Sequence, residues 1–146
     1  MAKEVDYPPV WLAGFAAIGL ILGSILPLSF NANSIIGAAL ILVGLVVMLV
    51  AAGQMLLART TVIPHRDPSA LVMGGIFALS RNPIYLADAL VLTGLYLHWD
   101  AIVALPLVIV FMVVITRRFI LPEEARLQRL FGELFEDYRA RTRRWI

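Results

Sequence analysis

The chain has 146 residues, enough for one domain, with 61% hydrophobic and only 15% charged side chains. A soluble domain carries about a quarter charged residues to wet its surface, so this composition excludes an ordinary soluble enzyme and points to a membrane domain. The net charge is only +2, and the absence of cysteine excludes a disulfide framework, a Cys-ligated metal and a thiol nucleophile.

The N-terminal residues carry Lys3, Glu4 and Asp6 and lead into an apolar run from Val10 to about Phe30, with Pro27 near its end. That run is too long for the apolar core of a cleavable signal peptide and reads as a retained first span. Gly19 and Gly23 within it make a small-xxx-small pair, suited to close helix packing within the chain or between chains. The second span runs from Ile35 to Ala58 without a charge. A span needs roughly 20 apolar residues, and both runs meet that length.

Residues 59–83 form a long middle loop with Thr60, Thr61, Pro64, Pro68, Gly74 and Gly75. Pro and Gly break helices, and loops of this length are functional or disordered. The apolar pieces Leu71-Val72-Met73 and Ile76-Phe77 predict an ordered loop packed on something, or a fifth, re-entrant segment over residues 70–80. A third span over Ile84–Trp99 contains one charge, Asp88, and a fourth over Ala101–Leu121 ends on Arg117 and Arg118. The short link around His98-Trp99-Asp100 makes them an antiparallel hairpin, with Tyr96 and Trp99 in the interfacial aromatic belt.

From Pro122 the tail, residues 122–146, reads as one amphipathic helix. Pro122 suits a first turn, and Glu123 and Glu124 suit its positive dipole end. Leu127, Leu130, Phe131, Leu134, Phe135 and Tyr138 recur at helical spacing, with Arg126, Arg129, Glu133 and Glu136 opposite them. The ending Arg139, Arg141, Arg143, Arg144 and Trp145 reads as a segment lying against anionic headgroups.

The fold class is therefore all-α: a single helical membrane bundle of about four spans with a C-terminal amphipathic helix. All twelve Lys and Arg fall on one side of it. The positive-inside rule then places both termini, the middle loop and the tail in the cytoplasm.

Candidate chemistry lies on that side. Glu123 and Glu124 flank the apolar stripe of the tail, so they either stabilise a helix start or accept hydrogen bonds from a polar ligand such as a diol. In Ser80-Arg81-Asn82-Pro83-Ile84-Tyr85, Arg81 can grip a carboxylate or phosphate with two prongs, or it can snorkel as an anchor. Tyr85 would stack one turn inside. Asp88 lies about one turn deeper, and ionisable residues in spans are rare and commonly functional. His65 is a candidate base or ligand in the middle loop, while His98 falls on the opposite side.

Three motifs in order carry a family resemblance: Gly75-Ile76-Phe77 followed by Ser80-Arg81-Asn82-Pro83-Ile84-Tyr85; Glu123-Glu124 with Leu127 one turn on; and Phe131-Gly132, Tyr138 and Arg143-Arg144-Trp145. From about Thr60 to Ile146 the chain resembles the isoprenylcysteine carboxyl methyltransferases and bacterial phospholipid methyltransferases, which are integral membrane enzymes. The resemblance implies an enzyme using S-adenosylmethionine, with S-adenosylhomocysteine as product. The implied cofactor contacts are His65, Gly75, Ile76, Phe77, Arg81, Asn82, Pro83, Tyr85, Glu123 and Glu124. The lipid or lipidated acceptor enters from the bilayer, and the implied location is the bacterial inner membrane, as monomer or homodimer. The isoprenylcysteine enzymes usually have His where this chain has Asn82, which weakens the case for their substrate and leaves the acceptor as a phospholipid amine or an isoprenylcysteine-type carboxylate.

An amine acceptor must lose a proton before it attacks, which makes Glu124 and Asp88 candidate bases. Arg117 or Arg118 is a candidate holder of the substrate's phosphate or carboxylate, or a topological anchor. Two other readings are a small four-span transporter using Asp88 and a non-catalytic scaffold of the same fold.

Overall fold

The computed structural model describes residues 6–63 and 65–146, so Lys3, Glu4 and Pro64 lie outside the described residues. Among the described residues the regular elements are helical: α1 (Pro8–Ile25), α2 (Asn33–Leu57), α3 (Pro83–His98), α4 (Pro106–Ile115), a π-helical turn (Thr116–Ile120), α5 (Leu121–Phe131) and α6 (Glu133–Arg141). Three stretches are long and apolar enough to cross a membrane: Pro8–Ile25, Asn33–Leu57 and Ile102–Phe131. The shorter α3 has 16 residues, about 24 Å of helix at 1.5 Å per residue. It is the central helix of the bundle, with Leu92 and Tyr96 fully buried. The long helices around it turn Leu, Ile and Val outward, as Leu42, Leu49 and Ile21 do. That is the surface a lipid solvent requires.

Small residues let the backbones of α2 and α3 meet. A Cβ on Gly44 would lie 2.8 Å from a Val91 methyl and 2.9 Å from the Ala87 carbonyl oxygen. Gly44→Leu is therefore expected to destabilise the bundle by about 1–3 kcal/mol through overpacking, read as a lower midpoint in detergent unfolding. Gly53, with nothing within 4 Å of the same added atom, supplies the control: Gly53→Leu should be neutral or stabilising. Gly19 and Gly23 likewise pack inside the chain, against Tyr96 and against Trp99 and Ala101.

Several boundaries differ from those read in the sequence. The first helix stops at Ile25, not near Phe30, because the residue before Pro27 is driven out of helical geometry. The chain then continues extended, and the Leu28 amide donates to the Asp100 carbonyl at 2.8 Å. The Asn33 side-chain amide donates to the Leu97 carbonyl and to the Asp100 carboxylate, each at 2.7 Å. Together these bonds close the end of the bundle at which α3 stops. Tyr96 is not in an interfacial belt: it is buried, and its hydroxyl donates to the Phe15 carbonyl at 2.8 Å.

The fourth span does not stop before the tail. The helical path runs on from α4 into α5 through the π-helical turn. Pro122 has no amide hydrogen for a helical bond, and the wider turn just before it accommodates its ring. The break comes instead at Gly132, whose φ of 52° and ψ of −122° suit only glycine. The tail is thus two helices, and its apolar stripe is split. Phe135 and Tyr138 turn inward, while Leu130 and Leu134 are exposed. Residues 70–80 hold only a four-residue 3-10 turn, Gly75–Ala78, and no fifth span. Leu71, Val72, Met73 and Ile76 of the loop pack on a cluster of Ala51, Phe77, Phe135 and Tyr138.

Candidate active site

The end of α2, the middle loop, the first turns of α3, the start of α5 and the inward face of α6 enclose a cavity of about 270 Å³. Two short signals place its polar groups. Pro83 starts α3 and puts Arg81 and Asn82 at its mouth, and the continuous path through the π-helical turn carries Glu123 and Glu124 to the same level. Gly75, at φ of 57°, turns the loop around Gln54, whose side chain receives the Ile76 amide hydrogen at 3.0 Å and donates to the Gly74 carbonyl at 3.2 Å. That pin holds Phe77 against the cavity.

Arg81 is the most constrained polar group. Its side chain is 9% exposed, and one terminal nitrogen, Nη2, lies 3.4 Å from a Glu124 oxygen. Nε and Nη1 are buried with no hydrogen-bond partner. Burial pulls its pKa below the ordinary value, Arg144 and Arg139 act in the same direction, and Glu124 opposes them. An arginine keeps its charge nonetheless, so a cation that lines the cavity carries two buried donors unsatisfied among the described residues. Leaving such donors unmade costs more than their formation gains.

Glu124 is already engaged. Arg144 donates to its two oxygens at 2.8 and 2.9 Å, and that bond raises the Arg144 pKa. Glu123 accepts the Tyr85 hydroxyl hydrogen at 2.7 Å and keeps its second oxygen for the cavity. Asn82 lines the cavity and donates from its side-chain amide to the Arg144 carbonyl at 2.9 Å. The Arg81 amide donates to the Arg143 carbonyl at 3.0 Å. The ending read as a headgroup-binding segment therefore folds inward at Arg144 and Trp145, and only Arg139, Arg141 and Arg143 remain exposed. Trp145 donates to the Thr116 hydroxyl at 3.3 Å, bracing the π-helical turn.

Asp88, one helical turn past Tyr85, is buried at 4% exposure and lines the same cavity. Among the described residues no side chain donates to its carboxylate within hydrogen-bond distance. Tyr138 closes the opposite wall, its hydroxyl bonded to the Phe77 carbonyl and its pKa pushed up by burial to about 12. It stays protonated at neutral pH. Thr60 also lines the cavity, and its hydroxyl is buried without a partner among the described residues.

The structure thus brings together Phe77, Arg81, Asn82, Pro83, Tyr85, Asp88, Glu123 and Glu124. It does not bring in the others. Gly75 and Ile76 act behind the wall, through Gln54. His65 is exposed, 3.2 Å from the Asp6 carbonyl oxygen and between the rings of Tyr7 and Phe119. Arg117 is exposed, and Arg118 reaches away from the cavity to Asp6 at 2.8 Å.

Sequence reasoning missed Thr60, Tyr138 and Arg144 as site residues and put Arg126 on an outer face. Arg126 lines the cavity and reaches Asp67 at 3.5 Å. The signal for it was there, since residue 126 is three after Glu123 and shares its helix face.

A family model described as "Phospholipid methyltransferase" matches residues 32–134. The match spans more than two thirds of the chain and includes α2, Arg81, Asp88 and both acids of α5, but neither α1 nor Tyr138 and Arg144. Searches of curated proteins and of solved structures found no match.

Proposed function

The chain belongs to the phospholipid methyltransferase family, and from that premise we propose that it methylates the amine head of a membrane phospholipid with S-adenosylmethionine. The observation that carries the cofactor part of the reading is Arg81, which lines the cavity and holds two buried donors without a partner among the described residues. They fit the carboxylate of an amino-acid moiety, which accepts two parallel hydrogen bonds from a guanidinium. The free oxygen of Glu123 suits a diol or an ammonium. Phe77 and Tyr85 offer aromatic surface to a base or a sulfonium.

When bound, S-adenosylmethionine supplies a methyl carbon activated by a positively charged sulfur. Most of the remaining work is positioning in a dry site. Arg81 and Glu123 orient the donor end. Asp88 would accept the proton that the lipid ammonium must lose, leaving the nitrogen lone pair free to take the methyl group that the bound donor would supply. Glu124 is the weaker candidate base, because Arg144 holds both its oxygens. Its role is to fix Arg144 and one side of Arg81. We place the cavity mouth on the cytoplasmic side, where the basic residues gather.

The direct test is incubation of the purified protein with cofactor carrying a labelled methyl group and total bacterial lipid. Label is expected in a phospholipid whose headgroup has gained a methyl. A labelled product without an amine headgroup would overturn the choice of acceptor, and no labelled lipid at all would overturn the reading.

A further inference from the structure

A second concavity, of about 410 Å³, lies outside the cavity, along the cytoplasmic half of α1. Its apolar part is Trp11, Gly14, Phe15 and Ile18, which share one helix face. Gly14 forms its floor, and an added Cβ there would meet nothing within 4 Å. Its polar end is a carboxylate beside a guanidinium. Arg118 donates to Asp6 from Nε at 3.1 Å and from Nη2 at 2.8 Å, and its charge lies 5.1 Å above the Trp11 ring. Trp11 donates to the same carboxylate at 3.0 Å. Pro8 and Pro9, the next two residues of the chain, line the cavity already described. The segment from Asp6 to Pro9 is therefore a wall between a bilayer-facing groove and the cavity.

We propose that this groove is a binding site for one phosphatidylethanolamine-type lipid, with its phosphate on Arg118, its ammonium on Asp6 and an acyl chain over Gly14. Charge complementarity selects this occupant. A phosphate and an ammonium two carbons apart match a guanidinium and a carboxylate held side by side. The pair is accessible, with Arg118 49% and Asp6 22% exposed, so a headgroup can exchange with it without unfolding anything. The apolar floor starts directly beneath, as the glycerol and first methylenes require. Arg118, read from sequence as a holder of the acceptor's phosphate, would then hold it outside the cavity. The assignment does not depend on methyl transfer, because it rests on groups that the cavity does not share.

The test uses the full chain in phosphatidylglycerol nanodiscs, doped with phosphatidylethanolamine bearing a photoreactive acyl chain, with labelled peptides mapped by mass spectrometry. Label is expected to concentrate on residues 11–18. A phosphatidylglycerol probe with the same chain should label them about tenfold less, the worth of one lost charged contact. Gly14→Phe, which fills the floor, should cut the labelling by about fivefold, while Gly53→Phe on α2 should leave it unchanged. Arg118→Gln should lower it as well. Label spread evenly over the outward faces of α1 and α2, or no response to Gly14→Phe, overturns the site. Equal labelling by the two probes overturns the pairing of ammonium with Asp6.

Discussion

Arg81→Gln is expected to leave a folded protein that has lost S-adenosylmethionine binding by roughly 100-fold or more. The wild-type guanidinium lines the cavity, carries two buried donors without a partner among the described residues, and lies 3.4 Å from a Glu124 oxygen. A carboxylate ligand would take both. Each such charged hydrogen bond contributes about 1.5–3 kcal/mol, and two of them together amount to roughly a hundredfold at 1.4 kcal/mol per decade. Titration calorimetry with the cofactor and with S-adenosylhomocysteine measures the loss directly. Helix content and elution volume should match the wild type, because α3 begins after this residue. Arg81→Lys separates charge from shape: a point charge lacks the planar fork, so an intermediate affinity is expected. Affinity within about threefold of wild type for the Gln variant, less than one kcal/mol, would place the cofactor carboxylate elsewhere.

Asp88→Asn is expected to lower kcat by about 10²–10⁴-fold, the range for losing a general base, with cofactor affinity nearly unchanged. The two side chains have the same shape, and among the described residues no side chain donates to Asp88, so the substitution breaks no internal bond. The amide cannot take the ammonium proton. Binding and turnover should therefore separate in this variant and fall together in Arg81→Gln. Full turnover in Asp88→Asn would show that the lipid reaches the site already deprotonated or through another base.

The candidate site was legible where its residues lie close together in the chain. Arg81, Asn82, Pro83 and Tyr85 announce a helix start, and Glu123 and Glu124 follow a hydrophobic run. The uneven placement of basic residues brought these two pieces to one side of the bundle. What could not be read was distance. Glu124 and Arg144 are 20 residues apart, and Asp6 and Arg118 are 112 apart. No periodicity links such partners, so the sequence alone leaves Arg144 a surface charge and Arg118 either a phosphate holder or an anchor. The tail stripe failed for a different reason. Helical spacing assumes a continuous helix, and the positive φ at Gly132 resets the face on which the next residues fall. His65 was misplaced because loop residues carry no periodicity at all. Its ring packs beside Phe119, which only the folded chain brings near.

The attachment of α1 has a mechanical consequence. Its C-terminal half is wedged by Gly19 against the Tyr96 ring and by Gly23 against the Trp99 carbonyl and Ala101. Near its N-terminal end an ion pair, Asp6 with Arg118, ties it to the π-helical turn. From Gly19 to Pro8 the free arm of the helix is about 16 Å long. Pivoting by about 5° would carry its free end roughly 1.4 Å, with Pro8 and Pro9 riding on it. The fulcrum is rigid and the catch is an exposed ion pair of the weakest class, worth about 1 kcal/mol or less. Small forces at the membrane surface would therefore be geared up into the opening and closing of the cavity's side wall.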